Sequence, residues 1–344
     1  MLVANDGFSA GHVARAIAIA RGLARGTQRR GLELRIVLLT TSEADTLLAD
    51  EPIAIVRLPA PDAGRRAGFA DAERRRLASA IVDGVVEGFA PDLVVADTFP
   101  SGPHGELAGI GRRAKRALIR RSVPDERADL LSAGLGDYDL AVLADDPGAV
   151  ETLMTTAIVR VPPITLGGPI LSRDDARRSL GISVSARAIL IAAGGGGDAA
   201  AAARADRLAA VVARISPDVT TVVARGPLDR ATPARGEIRI APLSLYLRAF
   251  DGALSPAGYN TAHELASARV PAALFAQPRP YDDQAARATR FADAGFACVL
   301  ARFDDDAIAA ALAWIATAAI PALVADGANR AADALLDLAT GVCV

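Results

Sequence analysis

His12 stands in a loop of small residues, NDGFSAGHVARAIAIARGL over 5–23, where Gly11 and His12 open a stretch of helical period. Amides at a helix N-terminus attract anionic or strongly polar groups, and Gly7 and Gly11 let a ligand approach the backbone closely. An imidazole there can act as a general base or orient a substrate hydroxyl. The plainer alternative is a glycine-rich turn whose histidine caps the helix. A second loop, PDLVVADTFPSGPHGEL over 91–107, places Asp97 at the end of an apolar run, with His104 and Glu106 beyond it. A carboxylate at that point can bind or deprotonate a hydroxyl, or simply cap the turn. His104 reads as a solvated loop residue.

Two further loops lie in the second half. In AILIAAGGGGDAAAAA (188–203), Gly194, Gly195, Gly196 and Gly197 sit between a strand-like run and a helical one. Backbone without side chains lets a diphosphate lie against peptide N–H groups and the positive end of a helix. There is no P-loop lysine and no G-x-G-x-x-G spacing, so neither ATP hydrolysis nor dinucleotide binding is favoured. Four glycines with nothing to pack argue for a ligand-facing role. In the last segment, 254–284, a turn at Gly258 leads through Tyr259, Asn260 and Thr261 into a helix bearing Glu264, and a proline-rich loop then delivers Gln284. A glutamate there can accept both hydroxyl protons of a ribose, and a glutamine can donate and accept toward a sugar. Taken singly, each would read as a helix cap and a surface glutamine.

These loops share a scaffold only if strands deliver them to one edge of a sheet. Strand-like runs at 1–4, 34–40, 53–58, 93–96, 116–119 and 140–143 alternate with amphipathic stretches such as 13–25 and 70–89. The stretch 161–169, VPPITLGGP, breaks both periods and reads as a linker. The pattern then restarts at 188–192, 220–224, 238–240, 252–254, 272–275 and 298–300, and a last helical stretch covers 329–338. Near-continuous apolar strands separated by helices predict α/β architecture. Two Rossmann-like, doubly wound parallel-sheet domains should face a cleft, with ligands at the carboxyl ends of the strands. The expected divisions are 1–165, 166–328 and a C-terminal helix in 329–344 that crosses back to the first domain.

The 344 residues carry a net charge of −2, which excludes a generic polyanion-neutralising surface, so no nucleic-acid partner is expected. Half of the chain, 51%, is hydrophobic, enough for a sizeable core. Cys298 and Cys343 form no C-x-x-C, and no secretory leader is evident. A reducing, cytoplasmic setting without disulfide or zinc site is expected. No apolar run approaches the roughly 20 residues that span a bilayer. Asp304 to Asp306 read as a helix cap rather than a metal motif.

The 255–284 segment resembles the donor-binding region of GT-B glycosyltransferases, most closely the MurG-like family 28 group and a related set of bacterial "predicted glycosyltransferases". Three elements agree in order: Gly11-His12, the glycine loop at 194–197, and an S-x-x-G-x-x-T-x-x-E block at 255–264 with Gln284 downstream. The run DTFPSGPHGE at 97–106 is similar to the D-x-F-x-x-G-x-x-x-E stretch of the predicted group.

The resemblance implies a metal-independent, inverting hexosyltransferase with no cofactor, its co-substrate a nucleoside diphosphate sugar, UDP-linked by preference. Glu264 would hold the ribose, and the amides of 194–197 and of Gly258, Tyr259, Asn260 and Thr261 would face the diphosphate. Gln284 would touch the sugar, and backbone near Leu243 would read the base. His12 would serve the acceptor, with Asp97 as the alternative base and Gly11, Arg15 and Glu106 on the acceptor side. That acceptor would be a hydroxyl or amine on a small or lipid-linked molecule, and the protein a monomer or homodimer. There are departures. Leu171 follows GGPI (167–170) where the MurG-like linker carries an arginine, and Arg173 comes two positions later. A single Gln284 preceded by Asp282 and Asp283 replaces a glutamine pair. Between 60 and 76 only a few arginines hint at membrane docking, so membrane association is not indicated.

Two other activities fit the same architecture. A nucleotide-sugar hydrolase of the pseudaminate-pathway type opens with a similar loop, whose outline Asp6, Gly11, His12 and Arg15 match. A non-hydrolysing epimerase ranks last, since it uses several cleft carboxylates and histidines and the chain has three histidines.

Overall fold

The computed structural model describes residues 1–5, 10–103, 105–108, 110, 114–121, 134–144, 157–167, 170–196, 198–229, 232–323 and 326–342. His104, Gly197, Cys343 and most of the first loop (6–9) lie outside them. In chain order the elements are β1 (Leu2–Val3), α1 (Gly11–Arg30), β2 (Val37–Thr40), α2 (Asp45–Leu48), β3 (Ala54–Arg57), α3 (Pro61–Arg66), α4 (Asp71–Phe89), β4 (Leu93–Asp97), β5 (Lys115–Arg120), β6 (Leu140–Ala144) and β7 (Ala157–Val161). There follow α5 (Arg173–Leu180), β8 (Arg187–Ala192), α6 (Ala199–Ile215), β9 (Val219–Ala224), β10 (Glu237–Ile238), β11 (Gly252–Pro256), α7 (Tyr259–Ala268) and β12 (Ala272–Phe275). The last are α8 (Gln284–Asp293), β13 (Ala297–Val299), α9 (Asp305–Thr317) and α10 (Gly327–Thr340).

The chain divides into two compact units. The first runs to Ile164 and resumes at Asp326, and the second spans Thr165–Ala325. Each holds one wholly parallel sheet, ordered β3-β2-β1-β4-β5-β6-β7 in the first and β10-β9-β8-β11-β12-β13 in the second. Parallel strands are buried on both faces, which is why they read as unbroken apolar runs. In β8, Ile189 and Ile191 pack toward Leu208, Val212, Ile308 and Leu312 of α6 and α9, while Leu190 packs toward Leu265 and Phe291 of α7 and α8.

One strand departs from the sequence pattern. Residue 161, assigned to the linker, ends β7, which pairs with β6 at the sheet edge. Its residues Ala157, Ile158 and Arg160 are exposed, as at an open sheet edge, although four of its five residues are apolar. In both sheets the order reverses once, between β1 and β4 and between β8 and β11. Loops leaving the carboxyl ends at such a reversal diverge and open a crevice, where doubly wound sheets bind ligands.

Candidate active site

In the first unit the reversal falls between His12 and Asp97. Helix α1 starts beyond the loop after β1, with Ala10 as its N-cap, no side-chain cap and no acidic residue in its first turn. His12 is its second residue and Arg15 lies one turn on, so both reach the end of β4. His12 Nδ1 is 3.1 Å from Asp97 Oδ2. Arg15 Nη2 donates to the two Asp97 oxygens at 2.8 and 3.1 Å, and Thr98 Oγ1 donates to Oδ1 at 3.0 Å. Phe99 flanks the imidazole, with ring centroids 5.8 Å apart.

Burial pushes the pKa of the Asp97 carboxyl up, but the charges of Arg15 and His12 and their hydrogen bonds outweigh it and hold it at about 2. An anion so held is not a proton acceptor near neutrality. It fixes the imidazole instead. Arg15 Nη2 also lies 3.0 Å from Nδ1. With a proton on Nδ1, both neighbours direct donors at the carboxylate. With a lone pair there, Nδ1 would face a carboxylate oxygen, which is repulsive. A proton on Nδ1, donated to Asp97, leaves Nε2 as the basic nitrogen.

Thr98 was not apparent as a site residue. It is fully buried, with φ at 69°, a conformation a β-branched residue rarely adopts. Glu106 has an internal role: it is buried, accepts from Asn5 Nδ2, and lies so close to Gly102 that a Cβ there would overlap its carboxyl. Asn5 Oδ1 in turn accepts from the Thr41 amide at 3.1 Å, so these residues brace the ends of β1 and β2.

In the second unit the turn after β8 and the start of α7 after β11 flank the reversal. Gly194 and Gly196 have φ of 84° and 90°, open to glycine at little cost. A Cβ on Gly196 would strike Asp229 N and lie 3.0 Å from Gly226 O, and Leu228 N donates to Gly195 O at 3.1 Å. At Gly196 the missing side chain thus has a structural cause, backbone packed on backbone. Gly194 differs: the nearest atoms to its Cβ position are Gln277 Oε1 at 3.7 Å and Pro256 Cγ at 4.0 Å.

The helix after this loop is already capped. Asp198 Oδ1 accepts from the amides of Ala200 and Ala201 at 2.9 and 3.3 Å. Asp283 caps α8 and Asp304 caps α9 in the same way. By contrast α7 starts at Gly258 with no side-chain cap and no acid in its first turn, which suits it to an anion. Gly258, Tyr259, Asn260 and Thr261 lie at that terminus. Glu264, on the next turn, accepts from the Leu166 amide, and burial pushes its carboxyl up to about 8. Leu243 begins a 3-10 helix, Leu243–Ala249, packed against the core beside α7.

Both ends of the Gln284 side-chain amide make a bond within its own loop. Its Oε1 accepts from Gln277 N at 3.0 Å and its Nε2 donates to Asp282 Oδ2 at 3.2 Å, so it braces its own loop. It still borders the site, with Nε2 4.0 Å from the Cβ position of Gly258.

No family model matches the chain, and no curated protein matches it. Solved structures match it along nearly its whole length. A spinosyn rhamnosyltransferase complexed with spinosyn aglycone is 20% identical, covering 99% of this chain and 96% of that one with a TM-score of 0.56. The fold is GT-B. The glycotransferase of kitacinnamycin is 14% identical over 99% of this chain and 94% of its own, with a TM-score of 0.63. MurG of Acinetobacter baumannii is 18% identical over 98% of each chain, with a TM-score of 0.51. The spinosyn rhamnosyltransferase is also known complexed with thymidine diphosphate.

Proposed function

We propose that this GT-B protein is an inverting glycosyltransferase that moves a sugar from a nucleoside diphosphate donor to a hydroxyl acceptor without a metal ion. The observation that carries the reading is the His12–Asp97 pair, set on both sides of the strand reversal. His12 Nε2 takes the acceptor hydroxyl proton as the oxygen bonds the anomeric carbon. The bond from that carbon to the diphosphate breaks, and the nucleoside diphosphate leaves with the electron pair. Asp97 stabilises the resulting imidazolium. The α7 N-terminus disperses charge on the departing diphosphate, and Glu264 holds the ribose. UDP- or thymidine diphosphate-linked sugars are the donors of choice, the second because a solved GT-B neighbour is complexed with that nucleotide.

The test is nucleoside diphosphate release from UDP- and TDP-sugars, with and without a panel of hydroxylated acceptors. Release that needs an acceptor supports transfer; equal release without one identifies a sugar-nucleotide hydrolase. His12→Ala should lower turnover by about 10²–10⁴-fold with nucleotide affinity nearly unchanged. A His12→Ala enzyme that keeps most of its turnover while Asp97→Asn is dead would reverse the two roles.

A further inference from the structure

A diphosphate brings two negative charges, which a cation at the carboxyl edge of the second unit's sheet could meet. Leu171, where the MurG-like pattern described above would place an arginine, carries no charge. Arg173 does not substitute for it. It begins α5 and pairs with Asp251 at 2.5 Å, just before β11 and so at the amino edge of the sheet, opposite the glycine turns. Arg287, closer to them, is buried and committed to Ala257 O at 2.9 Å and Asp282 at 2.7 Å.

Arg279 is placed differently. It lies in the loop after β12, at the carboxyl edge, with its side chain 20% exposed. Its Nη1 is 3.2 Å from Asp198 Oδ2 and its Nη2 is 3.0 Å from Gln277 Oε1. That Gln277 oxygen is the nearest side-chain neighbour of Gly194, and the Gln277 amide is bonded to Gln284, whose own amide borders Gly258. The two glutamines thus bridge the turn after β8 and the start of α7, and the guanidinium hangs on the bridge. Asp198 gives Oδ1 to the α6 cap and Oδ2 to Arg279, so the arginine can leave without uncapping the helix.

Resting on the donor assignment above, we propose that Arg279 is the cation that binds the donor's diphosphate, exchanging the Asp198 carboxylate for phosphate oxygens when the nucleotide enters. A planar guanidinium fork suits two phosphate oxygens, and a carboxylate is the natural resting partner for it.

Calorimetric titration with UDP and thymidine diphosphate, and NMR titration with uridine and thymidine, tests this. Arg279→Gln should weaken the better diphosphate by about ten- to a hundredfold, the loss expected for a charged hydrogen-bonding group, and leave its nucleoside within about twofold. Asp198→Asn keeps the helix cap and removes the competing charge, so it should bind the diphosphate more tightly. Opposite signs for the two partners are what a merely structural ion pair cannot give. Equal weakening of nucleoside and diphosphate in Arg279→Gln, or weakening in Asp198→Asn, overturns the proposal. Failure of the unaltered protein to bind either diphosphate overturns the donor assignment itself, and this inference with it.

Discussion

Two carboxyls in this chain are driven apart by their surroundings. Burial pushes both upward. At Asp97 the guanidinium of Arg15 and the imidazole of His12 reverse the push and hold it at about 2; at Glu264 only the Leu166 amide opposes it, and the group rises to about 8. The first is a permanent anion that orients, and the second is a carboxyl that a ligand can reset. Folding stability should record the difference. Between its ordinary 4.5 and about 8, Glu264 keeps a proton in the folded chain that the unfolded chain releases. Its contribution to stability therefore falls as pH rises through that window. Glu264→Gln cannot titrate. Its melting temperature should decline less than that of the unaltered protein between pH 5 and 8.5, and parallel curves would show that burial does not hold the proton. Asp97 acts the other way: its contribution is present above 3.8 and is lost as pH falls toward 2.

At the scale of elements, glycine has a different meaning in each helix. Gly22 and Gly26 form a notch on α1 into which α10 settles: a Cβ on Gly22 would come 2.6 Å from Ala328 O, and one on Gly26 would come 2.6 Å from Leu336 Cδ1. Ion pairs from Arg29 to Asp333 at 2.9 Å and from Arg30 to Asp337 at 2.6 Å continue the seam. Gly84, inside α4, meets nothing within 4 Å. The same substitution should therefore have opposite signs. Gly84→Ala gains about 0.5–1 kcal/mol of helix propensity, whereas Gly22→Ala gains as much and loses about 1–3 kcal/mol to overpacking. Thermal unfolding of the two variants checks it, and a stabilised Gly22→Ala would mean the seam yields freely. The notch was not legible in the sequence, because α1 and α10 are some 300 residues apart and their glycines carry no periodic signal. Central strands were legible because burial on both faces leaves an apolar run; the edge strand β7 carries a shorter one, Ala157 to Val161, that merges into the proline-rich stretch after it. At the site, His12 and Asp97 could be found from their places at strand ends. Arg279, Gln277 and Asp198 could not, since their meaning lies in contacts between loops that follow different strands.

For the whole molecule, the route of the chain decides what a truncation removes. The second unit is built from Thr165–Ala325, whereas the first takes its last helix, α10, from the far end of the sequence. That helix covers more than a surface. Ala331, Ala332, Leu335 and Leu336 are buried, and its start is so close to Pro162 and Pro163 that Gly327 admits no side chain. A chain stopped after residue 325 loses all of this from the first unit and leaves the elements of the second intact. Calorimetry should then show one transition lost or lowered and another retained, the behaviour of two cooperative units rather than a single two-state domain. Nucleoside diphosphate should still raise the retained transition by the mass-action increment RT ln(1 + [L]/Kd), because Gly194, Gly258, Glu264 and Arg279 all lie before the cut. Sugar transfer should disappear, since His12 and Asp97 belong to the unit that has lost its last helix. If truncation abolished the nucleotide-dependent shift as well, the donor site would require the first unit, and its assignment to residues of the second unit alone would be wrong.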